Sequence, residues 1–121
     1  MPKKTHNTNL GKKGEKLAVE AMEAAGMSII ARNFRSMHGE IDIVAIDKET
    51  IVFIEVKTWS IYSIEELQYS LNKKKQYRII ETAKYFLSEH RKYSKMAIRF
   101  DVVFIKSGAV VHLASAFAEC V

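Results

Sequence analysis

Asp42 and Glu55 stand inside two short apolar runs, residues 41–46 and 51–56, and Lys57 directly follows the second, in the stretch Gly-Glu-Ile-Asp-Ile-Val-Ala-Ile-Asp-Lys-Glu-Thr-Ile-Val-Phe-Ile-Glu-Val-Lys that begins at Gly39. β-Branched runs of this length, separated by Asp47-Lys48-Glu49-Thr50, read as two strands joined by a turn. Side chains alternate along a strand, so Glu40, Asp42, Val44 and Ile46 are expected on one face of the first strand. Ile51, Phe53, Glu55 and Lys57 are expected on one face of the second. Antiparallel pairing brings the start of the first strand beside the end of the second, making Asp42 and Glu55 neighbours with Lys57 close by. Two adjacent carboxylates raise each other's pKa unless a hard divalent cation lies between them. A lysine on the same face can hold a water or a phosphate oxygen, and the set suits metal-assisted attack of water on a phosphodiester. A Glu-x-Lys at a strand end also occurs as a plain solvated ion pair. Here, however, both faces of both runs are largely apolar, and carboxylates in a covered hairpin need a reason.

The rest of the chain must position these groups. With 121 residues, 48% hydrophobic and 27% charged, it is expected to form one domain, residues 11–121, behind a basic flexible arm, residues 1–10. The amino-terminal Met-Pro-Lys-Lys-Thr-His-Asn-Thr-Asn has no apolar segment after its charges, which argues for a cytoplasmic protein with no membrane partner. A single cysteine, Cys120, can make no internal disulfide.

From Gly11, Ala18, Ala21, Met22 and Ala25 recur at helical spacing and Gly26 follows as a stop. Glu15 falls on the inward stripe near the helix start. It reads either as a first-turn carboxylate favoured by the helix dipole or as a third acidic group aimed at the hairpin. Residues 27–35 read as a strand. Ser63-Ile-Glu-Glu66 has capping-box spacing. Asn72 caps a long helix running to about His90, with Ile79, Ile80, Ala83, Phe86 and Leu87 as its apolar stripe. Residues 99–105 and 109–113 read as two further strands, and residues 114–121 as a short helix or docking tail. The order α-β-β-β-α-β-β predicts an α/β domain with a central mixed five-stranded sheet flanked by helices, the first three strands a meander and the fourth parallel to a central one. Asp101 reads as an ion-pair partner of Arg99 or as a further acidic group near the site.

A net charge of +5 makes a polyanion a natural partner. The basic residues cluster as Lys12 and Lys13 with Lys16, and as Lys73, Lys74 and Lys75 with Arg78. Each cluster could equally be a solvated helix face. Three lysines in a helix's first turn oppose its dipole, and a phosphate would relieve this. Gln76 is expected toward the core side of that helix start. Trp59 could stack on a base or pack against a helix.

Gly39-Glu-Ile-Asp-Ile-Val-Ala45 followed by Phe53-Ile-Glu-Val-Lys-Thr58, with Gly11-Lys-Lys-Gly-Glu15, Lys75-Gln76 and Arg99-Phe-Asp-Val-Val103, closely resembles the YraN-like family of small bacterial proteins. That family is assigned to the restriction-endonuclease-like, PD-(D/E)xK nuclease superfamily, with a more distant similarity to archaeal Holliday-junction resolvases. The resemblance implies a restriction-endonuclease-like core in which Asp42, Glu55 and the Val56 carbonyl bind Mg²⁺ or Mn²⁺. It further implies that Lys57 orients or activates water, Glu15 completes the acidic cluster, Gln76 supports the substrate side and Lys75 meets phosphate. Trp59 stands where the family commonly has Arg, and His38 is atypical before Gly-Glu-Ile-Asp. The implied activity is a metal-dependent endonuclease acting on DNA, including branched or junction DNA. A non-catalytic nucleic-acid-binding module in DNA uptake or recombination is the alternative, and an RNA-directed activity a third. Symmetric junction cleavage would favour a homodimer.

Overall fold

The computed structural model describes residues 2–59 and 71–118, with side chains for residues 12–58 and 71–118. The capping-box segment at residues 63–66 and Cys120 lie outside the described residues. Helix α1 (Pro2–Ala24) is followed by strands β1 (Ser28–Ser36), β2 (Gly39–Asp47) and β3 (Thr50–Trp59), then helix α2 (Lys73–Glu89), a 3₁₀ turn (Arg91–Tyr93), β4 (Ala97–Lys106) and β5 (Ala109–Phe117). The strands form one sheet in the order β1-β2-β3-β4-β5. β3 and β4 pair in parallel, and the other neighbours are antiparallel. This is the α/β architecture with a mixed five-stranded sheet expected from the element order.

Two departures concern element ends. The backbone of α1 begins at Pro2, ahead of the Gly11 start that the apolar periodicity predicts, and that periodicity can report only the stretch packed on the sheet. β5 runs on to Phe117, so residues 114–117 are strand, not helix or tail. Phe117 pairs with Phe100, and their rings stack at 5.1 Å, which gives the strand end an apolar anchor that alternation alone does not reveal.

The helices cover opposite faces of the sheet. On one, Ala18 and Met22 of α1 pack with Ile43, Ala45, Val52, Ile54, Val103 and Ile105. On the other, Ile79, Ile80, Ala83 and Phe86 of α2 pack with Ile41, Val44, Ile51, Phe53 and Phe100. α1 ends in a Schellman motif, where Met27 N–H donates to the Met22 carbonyl and Gly26 N–H to that of Glu23, each at 3.0 Å. Gly26, at φ +95°, supplies the left-handed residue this requires. Midway along, α1 approaches the sheet so closely that a Cβ at Gly14 would collide with Thr58 Oγ1, and this approach brings the neighbouring Glu15 to the sheet end.

Asn72 caps α2 as expected, its Oδ1 accepting from Lys75 N–H at 2.9 Å. Asn72→Ala is expected to cost about 1 kcal/mol, measured by urea unfolding. It should also loosen the Lys75 end of the helix.

Candidate active site

β2 and β3 hold their ladder from Asp47↔Thr50 to Ile43↔Ile54. Beyond that rung Val56 N–H turns to the Asp42 carboxylate, donating to Oδ2 at 2.7 Å. Asp42 also interrupts the alternation of β2. Ile43 packs on the α1 side, yet Ile41 and Val44 both pack on the α2 side. Ile41 thus joins the face of Val44, a correction to the strict alternation read from the sequence. Asp42 sits at the switch, its carboxylate drawn to the neighbouring strand's backbone.

Glu55 stands next to Asp42 on β3 and is only 7% exposed. Burial, then the charge and direct approach of Glu55, push the Asp42 carboxyl up to about 7. Two ammonium groups face Glu55 Oε1, Lys75 Nζ at 3.7 Å and Lys57 Nζ at 3.9 Å. Burial and then the neighbouring Lys75 lower the Lys57 pKa to about 8, against the opposing pull of Glu55.

Glu15 reaches the same end of the sheet from α1. With its carboxamide nitrogen turned toward the acids, Asn33 donates to Glu15 Oε1 at 2.8 Å and to Glu40 Oε1 at 3.2 Å. The Glu15 pKa is raised by burial and by the Asp42 charge, with the Asn33 bond opposing. On the α2 side a cleft of about 230 Å³ is lined by Gly39, Glu40, Asp42, Glu55, Lys75, Arg78 and Ile79.

The fold therefore brings Asp42, Glu55, Lys57 and Lys75 together, with Glu15 near enough to feel the Asp42 charge and joined through Asn33 to Glu40. Lys12, Lys13, Lys73 and Lys74 are exposed on their helices. Gln76 is spent on the backbone, its Nε2 donating to the Leu71 carbonyl at 2.9 Å. It lines a separate groove with Lys73, Tyr77, Ile80, Glu81, Lys84 and Ala118. Trp59 closes β3, and its side chain lies outside those described. Asp101 belongs to a different network, bonded to Arg99, His112 and the Ser115 N–H. Of its two readings, the ion pair with Arg99 holds.

Asn33 and Glu40 carry no chemical role in the sequence reading, and Arg78 enters it only as a member of a basic cluster. Arg78 follows Lys75 by three positions on a helix, a spacing that signals a shared face. Glu40 carries the signal of its place two residues before Asp42. No signal marks Asn33 except its capacity for left-handed backbone.

Among the described residues no group of three or more His, Cys, Asp or Glu side chains is arranged to hold a metal ion. Asp42 and Glu55 act as a pair. A pair of hard oxygen donors suits Mg²⁺ or Mn²⁺, which bind through one or two carboxylates and keep several waters, better than Zn²⁺. Burial, and then the Glu55 charge, disfavour the ionised Asp42 carboxylate, and a bound cation would favour it. Among the described residues no helix is long and apolar enough to cross a membrane.

Similar chains align with this one over nearly their whole length. A UPF0102 protein of Treponema pallidum is 44% identical over 128 residues, covering all of both chains. One of Treponema denticola is 43% identical, covering 93% of this chain and 97% of its own, and one of Persephonella marina is 39% identical, covering 88% and 91%. The family profile described as "Uncharacterised protein family UPF0102" matches residues 14–105, from the close helix–sheet approach at Gly14 through every acidic and basic group of the cleft to Ile105 on β4. This chain belongs to the UPF0102 family.

Proposed function

We propose that this chain is a metal-dependent endonuclease that hydrolyses phosphodiester bonds in DNA, with branched or junction DNA as the preferred substrate. The observation that carries this reading is the pairing of half-buried Asp42 with buried Glu55 where the β2–β3 ladder ends, with Lys57 and Lys75 on the Glu55 oxygen. The resemblance to PD-(D/E)xK nucleases supports it, as do the basic groups on α2. A bound Mg²⁺ or Mn²⁺ would supply Lewis-acid stabilisation of the phosphoryl oxygens and a lowered pKa for bound water. Asp42 and Glu55 would hold it, with the Val56 carbonyl as a further donor.

The chain's own groups divide the remaining work. Lys57, with its pKa lowered to about 8, is partly neutral at the pH where DNA is handled. It can accept a proton from the attacking water and, once charged, stabilise the developing negative charge. Lys75 and Arg78 line the α2 wall of the cleft, where cations meet backbone phosphates. Glu55 orients both lysines, and the Val56 N–H fixes the Asp42 carboxylate.

The test is cleavage of linear duplex, single-stranded, flapped and four-way-junction DNA and of RNA, in Mg²⁺, Mn²⁺ or EDTA, with binding followed in parallel by gel shift. Junction cutting that requires metal supports the proposal. Tight binding without cutting would favour a non-catalytic nucleic-acid-binding module, and selective cutting of RNA would replace the substrate.

A further inference from the structure

Asn33 lies in the middle of an edge strand with φ +53°, a conformation that costs free energy for any residue but glycine and is least unfavourable for Asn and Asp. Its position explains the cost. β1 pairs with β2 through Ala31↔Val44, Arg32↔Ile43 and Phe34↔Ile41, so Asn33 stands opposite Asp42. Ala31 and Phe34 both pack on the α2 side although two residues separate them, as do Ile41 and Val44 on β2. Both strands thus reverse their facing on the same rung, and the register survives the reversal. A reversal in β2 alone would set Phe34 and Ile41 on opposite faces and unpair the sheet beneath α2. The Asn33 side chain meanwhile spans Glu15 on α1 and Glu40 on β2.

We propose that Asn33 is a positioning residue of the acidic site: its left-handed backbone lets β1 turn in step with β2 at Asp42, and its carboxamide holds the Glu15 carboxylate in place beside Asp42. This role rests on the nuclease reading of the site. Asn33 bonds Glu15 and, at the cleft wall, Glu40, so it acts on the Asp42–Glu55 pair through these carboxylates and through the strand. A backbone requirement alone would be met by glycine. The amide bonds to two carboxylates explain why the residue is asparagine.

Three variants separate the two parts. Asn33→Gly keeps the backbone and removes the amide; Asn33→Ala loses both; Asn33→Asp tolerates the backbone but adds a third negative charge that cannot donate. Unfolding midpoints in EDTA should stay within about 3 °C of the parent for Asn33→Gly and fall further for Asn33→Ala, in line with the strain a Cβ suffers there. Mn²⁺ binding by the protein without DNA should weaken about tenfold in Asn33→Gly, and kcat for junction cleavage should fall about tenfold with KM unchanged, by the order of effect expected of outer-shell partners. In a Glu15→Ala background the same substitution should change neither. Equal losses in both backgrounds, or Asn33→Gly indistinguishable from the parent in Mn²⁺ binding and kcat, would overturn the role of Asn33 alone. A parent protein that neither binds Mn²⁺ nor cuts would overturn the nuclease reading and the role with it.

Discussion

Asp42→Asn should lower the rate of DNA cleavage at least about 10³-fold, the order of loss seen when a group that organises transition-state charge is removed. It should also make the metal-free protein more stable at pH 8. The second effect follows from the sign of the Asp42 shift. The carboxyl titrates at about 7 in the folded protein against an ordinary 3.8, so the folded state holds a proton that the unfolded state has already released. Between those values stability falls as pH rises, and the cost is fully present above about pH 7. Asparagine keeps the shape without the charge beside Glu55. Thermal scans of both proteins at pH 5 and pH 8 check this: the parent should lose stability toward pH 8, the variant much less, and Mg²⁺ or Mn²⁺ should restore the parent alone. The Lys57 shift runs the other way. Its cost is present below about pH 8, where the folded state resists the charge, and fades as pH rises toward the ordinary 10.5.

Asp101→Ala should lower stability by about 3–5 kcal/mol, the usual cost of removing one partner of a buried ionic network. Asp101 is fully buried and accepts from Arg99 Nε at 2.9 Å, from Arg99 Nη2 and the Ser115 N–H at 3.0 Å each, and bonds His112 Nε2 at 2.6 Å. Arg99 continues to Asp47 Oδ2 at 3.1 Å, so the network joins β2, β4 and β5 across the intervening β3. Burial would raise the Asp101 pKa, but the bonds from Arg99, Ser115 and His112 prevail and hold it below 3.8. Its contribution is therefore complete above that value and is lost as pH falls below it. Urea unfolding at pH 7 measures the loss. Below the variant's melting temperature its cleavage rate should remain within a few-fold of the parent, because the network stands apart from the acidic pair.

Much of the fold was legible because it obeys simple periods. The apolar stripe of α2, the Asn72 cap and the Gly26 stop are local signals, and the structure realises them where the residues stand. The pairing of Asp42 with Glu55 was legible because hairpin register follows from a short turn: Asp47 pairs Thr50, with Lys48 at φ +56° between them. What escaped the sequence is where the periods break. The facing reversal at Asn33 and Asp42, and the irregular pairing near Ser115 at φ +52° that delivers its N–H to Asp101, are cooperative adjustments between strands. No single strand's pattern announces them. Gln76 is a different case. Its place near the helix start was read correctly, but a free side-chain amide close to an unpaired carbonyl bonds it first, and Leu71 supplies that carbonyl.

The cleavage of a labelled four-way junction by the parent, Glu55→Gln and Lys57→Ala proteins, in Mg²⁺ and in EDTA, bears most directly on the acidic pair. Glu55→Gln removes the charge proposed to hold the cation and Lys57→Ala the group proposed to act on the attacking water, and Glu55 keeps Lys75 as a partner in the second variant. Cutting by the parent in Mg²⁺, its absence in EDTA, and its loss in both variants while junction binding persists is the expected result. Cutting that survives in EDTA or in Glu55→Gln, or a parent that binds and never cuts, would contradict it.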